Sequence, residues 1–126
     1  MPKDWIALAL QGTAVSQYHY FDRIGSTNDE ALKWVESGAS DFSLVFADEQ
    51  TSGRGRYDRR WITPPGASLA FSLILHPSPP DPSLISFYSP LAAIAVHQAV
   101  TSLLGITAMI KWPNDVLIRE RKVCGI

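Results

Sequence analysis

Apolar residues recur every three to four positions in some stretches of the chain and alternate with polar residues in others, which predicts both helices and strands. The longest helical pattern runs over residues 82–104. Gly105 is expected to end this helix, because glycine adopts the left-handed closing conformation without strain. Pro90 lies inside the pattern and predicts a kink or two consecutive helices, because proline removes a backbone donor.

Two shorter helices are predicted nearer the start of the chain. One covers residues 5–10. The other begins at Ser26 or Thr27, either of which can cap it with a side-chain oxygen, and ends at Gly38. Two acidic residues in its first turn suit the positive N-terminal end of a helix.

Strands are predicted at residues 18–24, 42–47, 68–76 and 107–112, and in a closing hairpin of residues 116–118 and 122–126. Helices interleaved with strands predict an α+β, or mixed α/β, fold with helices packed on a mixed, partly antiparallel sheet. The length of 126 residues fits one domain. Because the chain stops inside a predicted strand, we expect it to be the N-terminal portion of a larger domain.

The amino-acid composition narrows the classes of protein to which the chain can belong. The hydrophobic fraction of 46% is typical of a globular protein, and the net charge of −1 argues against general nucleic-acid binding, which favours a basic face. The single cysteine, Cys124, excludes an internal disulfide and suits a reducing compartment. No apolar run reaches about 18 residues, and no secretory signal is recognised. We therefore predict a cytoplasmic protein without a membrane span.

The densest positive charge lies in one loop. Four of the eleven Lys and Arg residues fall within residues 54–60. Two glycines alternate with two of these arginines, in the order Gly53, Arg54, Gly55 and Arg56. Because the arginine side chain presents a planar fork of donors and glycine lets a ligand approach the backbone, the loop predicts an anion site, with phosphate as the first candidate.

Three separated motifs resemble the catalytic domain of biotin protein ligases, also called biotin–[acetyl-CoA-carboxylase] ligases. They are Ser26-Thr27-Asn28, the stretch from Gln50 to Arg56 followed by Trp61, and Lys111 to Asp115 followed by residues 122–126. They occur in the order that the family has. The resemblance implies the class II synthetase-like fold of biotin and lipoate ligases. Residues 1–126 would form the N-terminal portion of the catalytic domain, without its remainder and a C-terminal β-barrel.

The resemblance also implies an activity. The family activates biotin with MgATP to biotinyl-5′-AMP and transfers biotin to a lysine of the biotin carboxyl carrier protein of acetyl-CoA carboxylase. Biotin, ATP and Mg²⁺ are therefore the implied ligands, and this carrier is the implied partner. No nucleic-acid or membrane partner is expected. No helix-turn-helix precedes residue 18, so repressor activity is not expected, and a homodimeric assembly is left open.

The same resemblance implies roles for single residues. The biotin-binding positions are Ser26, Thr27, Asn28, Gln50, Gly53, Arg54 and Gly125. The ATP- and adenylate-binding positions are Gly53, Arg54, Gly55, Arg56, Trp61, Lys111 and Asn114. Arg54, Arg56 and Lys111 would be catalytic because their charges would hold the reacting oxygens. No residue is assigned to a metal.

Simpler explanations stay open for several of these residues. Ser26 can cap a helix, Trp61 can pack in the core, and Asn114 can shape a turn. The glycine–arginine loop can be a solvated surface loop. Cys124 is expected to be a small buried apolar residue rather than a nucleophile, since no histidine is marked as its base.

One departure from the family pattern falls in the loop. The family often carries GRGRRGR, whereas Tyr57 and Asp58 stand at the fifth and sixth of those positions here. The loss of that later glycine is expected to alter loop closure. We predict that residues 51–60 are mobile without ligand and become ordered around it. Asp58 would order the loop beforehand if it paired with Arg56 or Arg60.

Other functions are compatible with parts of this pattern. A lipoate or octanoyl ligase or transferase would share the fold. A non-catalytic module that binds anions or nucleic acid would use the glycine–arginine loop, and its affinity would fall steeply with salt. A folded but inactive piece would carry the motifs without the remaining strands. The second and third motifs together favour biotin.

Overall fold

The computed structural model describes residues 4–126, and the chain divides into two compact units between Pro77 and Ser78. Each unit contains a three-stranded sheet and its own cluster of buried apolar side chains. The predicted combination of helices with mixed strand pairing is confirmed, and the strands are divided between two sheets.

The first unit alternates helices and strands. Its elements are α1 (Asp4–Leu10), β1 (Gln17–Ile24), α2 (Thr27–Glu36), β2 (Ser43–Gln50) and β3 (Ala70–Ile74). β1 pairs parallel to β2, and β2 pairs antiparallel to β3. Because parallel neighbours need a long crossover connection, α2 supplies the link between β1 and β2.

The core of the first unit lies between α2 and one face of this sheet. Buried apolar residues from α2, from the segment after it and from the sheet form it, and partly buried aromatic residues extend it: Ala31, Ala39, Val45 and Ile74, with Phe21 and Trp34. The rings of His19 on β1 and Trp34 on α2 stack with centroids 3.7 Å apart. This packing fixes α2 against the sheet and so fixes the position of its first turn.

The second unit begins with a 3₁₀ turn (Pro82–Leu84), followed by α3 (Ile85–Leu104), β4 (Met109–Lys111), β5 (Asp115–Ile118) and β6 (Arg121–Gly125). The strands form an antiparallel sheet in that order. Its core consists of Ala93, Ala108 and Val116, with partly buried apolar neighbours that include Cys124. A two-residue turn of Arg119 and Glu120, both with positive φ, joins β5 to β6.

The helix predicted over residues 82–104 differs in one detail. α3 runs through Pro90, and the change of helix type falls at Leu84 and Ile85 instead. Gly105 ends the helix in the left-handed conformation, with φ of 61°, as predicted. By length and a mean hydropathy of 1.3 alone, Pro82–Leu104 would suffice to cross a membrane. Helices of soluble proteins meet the same criteria, so this single helix is weak evidence for a span.

Candidate functional site

The candidate site of the first unit forms where β1 and β2 end. Because the two strands are parallel, their carboxyl ends meet at one edge of the sheet, which is where open α/β sheets bind ligands. Backbone pairing between the two chain segments continues past the ends of β1 and β2. The Thr51 N–H donates to the Ile24 carbonyl at 2.8 Å, and the Ser52 N–H donates to the Gly25 carbonyl at 2.8 Å. The start of the glycine–arginine loop is thereby held beside the start of α2.

A partly buried hydrogen-bond network joins three of the elements at this edge. The Gln50 Oε1 accepts from the Thr27 N–H at 2.8 Å and from the Thr27 hydroxyl at 3.1 Å. Since a hydroxyl has one hydrogen to give, Thr27 Oγ1 accepts from the Ser72 hydroxyl, 3.0 Å away. Thr27 is 3% exposed. The network therefore fixes the amide orientation of Gln50, whose NH₂ group lies toward Gly53.

The residues beside Thr27 take different positions. Ser26 is buried, and its hydroxyl accepts from the Asp29 N–H at 3.4 Å, which confirms the predicted cap of α2. Asn28 is exposed. The biotin-binding roles assigned to both residues stay predictions.

Thr63 is a site residue that the sequence motifs did not indicate. It is buried, and its hydroxyl oxygen accepts from the Gln50 N–H at 2.7 Å. It therefore holds the backbone of Gln50 while Thr27 holds the side chain. No local pattern in the sequence marks this threonine.

The loop predicted to bind an anion is a small hairpin over residues 53–61. The Trp61 N–H donates to the Gly53 carbonyl at 2.8 Å, and the Gly55 N–H donates to the Arg59 carbonyl at 2.6 Å. A Cβ on Gly53 would lie 2.5 Å from the Trp61 carbonyl oxygen. Neither glycine has a positive φ. Gly53 is thus needed for close approach of two backbone segments and not for a left-handed conformation.

The tip of this hairpin carries the departure from the family pattern. Tyr57 and Asp58 both have left-handed backbones, with φ of 58° and 59°. Asp58 therefore occupies a conformation that glycine adopts at lower cost. Within residues 4–126, Asp58 forms no ion pair with Arg56 or Arg60, so the alternative that it orders the loop beforehand is not supported.

Arg54 is instead paired with the first turn of α2. Its two terminal nitrogens donate to the two carboxylate oxygens of Asp29 at 3.0 and 2.5 Å. The hydrogen bonds from Arg54 hold the pKa of the Asp29 carboxyl below its usual range. The ion pair is therefore complete at neutral pH and is lost only as the pH falls through that lowered pKa.

A cleft of about 490 Å³ opens beside the same residues. Gln50, Arg60, Trp61 and Thr63 contribute to its lining. This volume lies in the range that small-molecule sites occupy. The cleft combines an aromatic ring, fixed polar groups and a guanidinium within one unit.

Three further predicted site residues lie in the second unit. Lys111 ends β4, is exposed and stands opposite Asp115 in the β4–β5 register. Asn114 closes the open end of the β5–β6 hairpin, because its side-chain amide donates to the Ile126 carbonyl at 3.1 Å and its own carbonyl accepts from the Ile126 N–H at 2.9 Å. Gly125 is exposed on β6. Asn114 also lies in the turn between β4 and β5, as its simpler explanation predicted, and the binding roles assigned to these three residues stay predictions.

Cys124 has the environment expected of an apolar core residue. It packs against the core of the second unit. Burial, and then the nearby Asp115 carboxylate, raise the pKa of its thiol. Because only the thiolate is a strong nucleophile, this environment supports the structural interpretation.

Comparison with known proteins adds independent findings. A model of the biotin/lipoate A/B protein ligase family matches residues 20–126. The chain is 43% identical over 110 residues to the bifunctional ligase/repressor BirA of Bacillus spizizenii. The aligned region covers 85% of this chain and 33% of that protein. It is also 43% identical over 108 residues to the biotin–[acetyl-CoA-carboxylase] ligase of Paracoccus denitrificans, covering 82% of this chain and 43% of that protein.

A solved structure shares the fold. The biotin protein ligase from Aquifex aeolicus, in complex with biotin and ATP, is similar with a TM-score of 0.75 and 30% sequence identity. The match covers 87% of this chain and 45% of that chain. The chain thus spans between a third and a half of the length of these relatives.

Proposed function

Because the chain belongs to the biotin/lipoate A/B protein ligase family, we propose that it is part of an enzyme that activates biotin with ATP to biotinyl-5′-AMP and transfers the biotin to a lysine of a biotin carboxyl carrier protein. Biotin is favoured over lipoate by the relatives: one is named a biotin–[acetyl-CoA-carboxylase] ligase, and the Aquifex structure contains biotin and ATP. The single cysteine, partly buried, suits our further proposal of a cytoplasmic location.

The observation that carries the proposal is the partly buried Thr27–Gln50 network beside the cationic hairpin. Small-molecule sites orient their ligand with a few precisely placed polar groups. Thr27 and Thr63 hold Gln50 from both sides, which makes it such a group. The arginines of the hairpin next to Gln50 can donate hydrogen bonds to the oxygens of a carboxylate and of phosphates.

The chemistry explains why cationic residues are needed and a protein nucleophile is not. A carboxylate oxygen of biotin attacks the α-phosphorus of ATP, and pyrophosphate leaves with the electrons of the broken P–O bond. Both reactants are anions, so positioning and charge neutralisation supply the catalysis. The lysine amine of the carrier then attacks the carbonyl carbon of the mixed anhydride. AMP leaves, an amide forms and the amine loses a proton.

Within this proposal, Arg56 and Lys111 supply positive charge to the reacting oxygens, and Trp61 offers a ring for the adenine. Mg²⁺ is assigned to the substrate MgATP. Across residues 4–126, no three His, Cys, Asp or Glu side chains converge on a common metal position. The described residues therefore do not form a protein cage for the ion, and no step is assigned to it.

The proposal predicts that biotin stabilises the intact protein and lipoate does not. A ligand present at ~100 times its dissociation constant adds about 2.7 kcal/mol to the free energy of unfolding, which raises the melting temperature by several degrees. Thermal unfolding with each acid measures the difference. Gln50→Ala should lose the shift, whereas Gln98→Ala, exposed on α3, should keep it. An equal shift with lipoate would contradict the assignment of biotin as the substrate.

A further inference from the structure

The four arginines of the loop are not equivalent. The Arg54 guanidinium donates two hydrogen bonds to the Asp29 carboxylate, and Arg60 donates to the Thr51 carbonyl at 3.3 Å. Within residues 4–126, the side chains of Arg56 and Arg59 form no hydrogen bond or ion pair. Two arginines are therefore occupied by the protein itself, and two remain for a ligand.

Asp29 connects the loop to the first turn of α2. It is the third residue of α2, and its own N–H donates to the capping hydroxyl of Ser26. Arg54 follows Gly53, whose carbonyl accepts the cross-hairpin bond from Trp61. The Asp29–Arg54 pair thus ties the base of the hairpin to the N-terminus of a packed helix.

We propose that Asp29 is a positioning residue for the proposed reaction and that Arg54 acts through it. The pair fixes the base of the residue 53–61 hairpin, and Arg56 is then presented to the anionic substrate. This inference rests on the proposed function for the nature of the anion, while the anchoring rests on the hydrogen bonds alone. It gives Arg54 an anchoring role in place of direct contact with the ligand.

The geometry of the pair favours a local restraint over a contribution to global stability. The side chains of Arg54 and Asp29 are 57% and 45% exposed, and exposed ion pairs stabilise folded proteins little. Two parallel N–H···O bonds nevertheless fix the relative orientation of a guanidinium and a carboxylate. The Asp29 charge also reduces the repulsion among the four clustered arginines.

Hydrogen exchange in the ligand-free protein tests the anchoring without reference to any substrate. Asp29→Asn should speed exchange of the Gly55 and Trp61 amides about three- to tenfold, the range set by a charged hydrogen-bonded pair. Glu30→Gln is the matched control, because it removes the same charge from the same helical turn without touching Arg54. It should leave both amides unchanged.

Kinetics test the positioning role. Asp29→Asn should raise the KM for biotin by a similar three- to tenfold factor with little change in kcat, because only a fraction of the molecules then holds a binding-competent loop. Arg54→Gln should do the same. The double variant should be no worse than either single variant, since both remove one shared interaction.

Several outcomes would overturn the inference. They are unchanged amide exchange in Asp29→Asn, losses that multiply in the double variant, or a lower KM in Asp29→Asn because the freed Arg54 binds the anion directly. If the wild-type protein shows no biotin-dependent activity, the proposed function fails. The amide exchange then decides the anchoring by itself.

Discussion

At the residue scale, the site depends on the absence of a side chain at Gly53. A Cβ there would lie 2.5 Å from the Trp61 carbonyl oxygen and 3.0 Å from Gln50 Nε2. Hydrogen bonds hold the Trp61 backbone through its N–H and the Gln50 side chain through its Oε1, so a shift of either residue would strain one of these bonds. The glycine thereby couples the polar network to the hairpin.

We expect Gly53→Ala to displace the Trp61 segment and to lower biotin-dependent activity by ~10²-fold, the effect of a displacement of about 1 Å in a positioning segment. Gly25→Ala is the control, because a Cβ at that nearby glycine meets no atom within 4 Å. Steady-state turnover of the two variants measures the effect. Equal activity in both would show that close packing at Gly53 is dispensable.

Site residues that belong to sequence motifs differ in kind from site residues whose role no motif reveals. Thr27, Gln50 and Gly53 belong to motifs, and the structure brings them together. Thr63 and Asp29 act through contacts made across 13 and 25 positions of the chain. Such pairings arise only once β2, α2 and the hairpin are in place, and no local pattern records them.

At the element scale, the hairpin of residues 53–61 has a fixed base and a protruding tip. Cross-strand bonds and the Asp29–Arg54 pair hold the base. At the tip, Tyr57 is 88% exposed, and the left-handed conformation costs a non-glycine residue about 1–2 kcal/mol. The tip is therefore the part most easily rearranged by a ligand.

This difference predicts graded hydrogen exchange along the hairpin. In the free protein, the amides of residues 56–58 should exchange fast, and those of Gly55 and Trp61 should be protected. Biotin with ATP should slow exchange at the tip, because the bound anions offset arginine repulsion and the cost of ordering the loop. Val45, fully buried in β2, serves as the internal reference. Tip protection that is the same with and without ligand would exclude a closing lid.

The ends of the helices and strands show which features of the sequence act locally. The start of α2 and the end of α3 were predictable, because Ser26 and Gly105 act within one turn of their helices. The strand ends were less predictable: β2 extends to Gln50, while β3 is shorter than its alternating pattern. Strand ends depend on the partner strand, which the pattern of one strand does not contain.

At the scale of the whole molecule, the chain forms two compact units, each with its own core. The fold class followed from the order of helices and strands. The division of the six strands within residues 4–126 between two sheets did not, because alternation predicts a strand without naming its partner.

Biotin-dependent exchange of labelled pyrophosphate into ATP is the measurement closest to the proposed reaction, because it reports formation of the acyl adenylate without a carrier protein. We expect exchange by the intact protein with biotin and not with lipoate. We also expect a loss of roughly 10²-fold or more in Arg56→Ala and in Lys111→Ala, as for other preorganised charges, with melting temperatures unchanged. Exchange that is absent with biotin, equal with lipoate, or unaffected by both substitutions would rule out the proposed function.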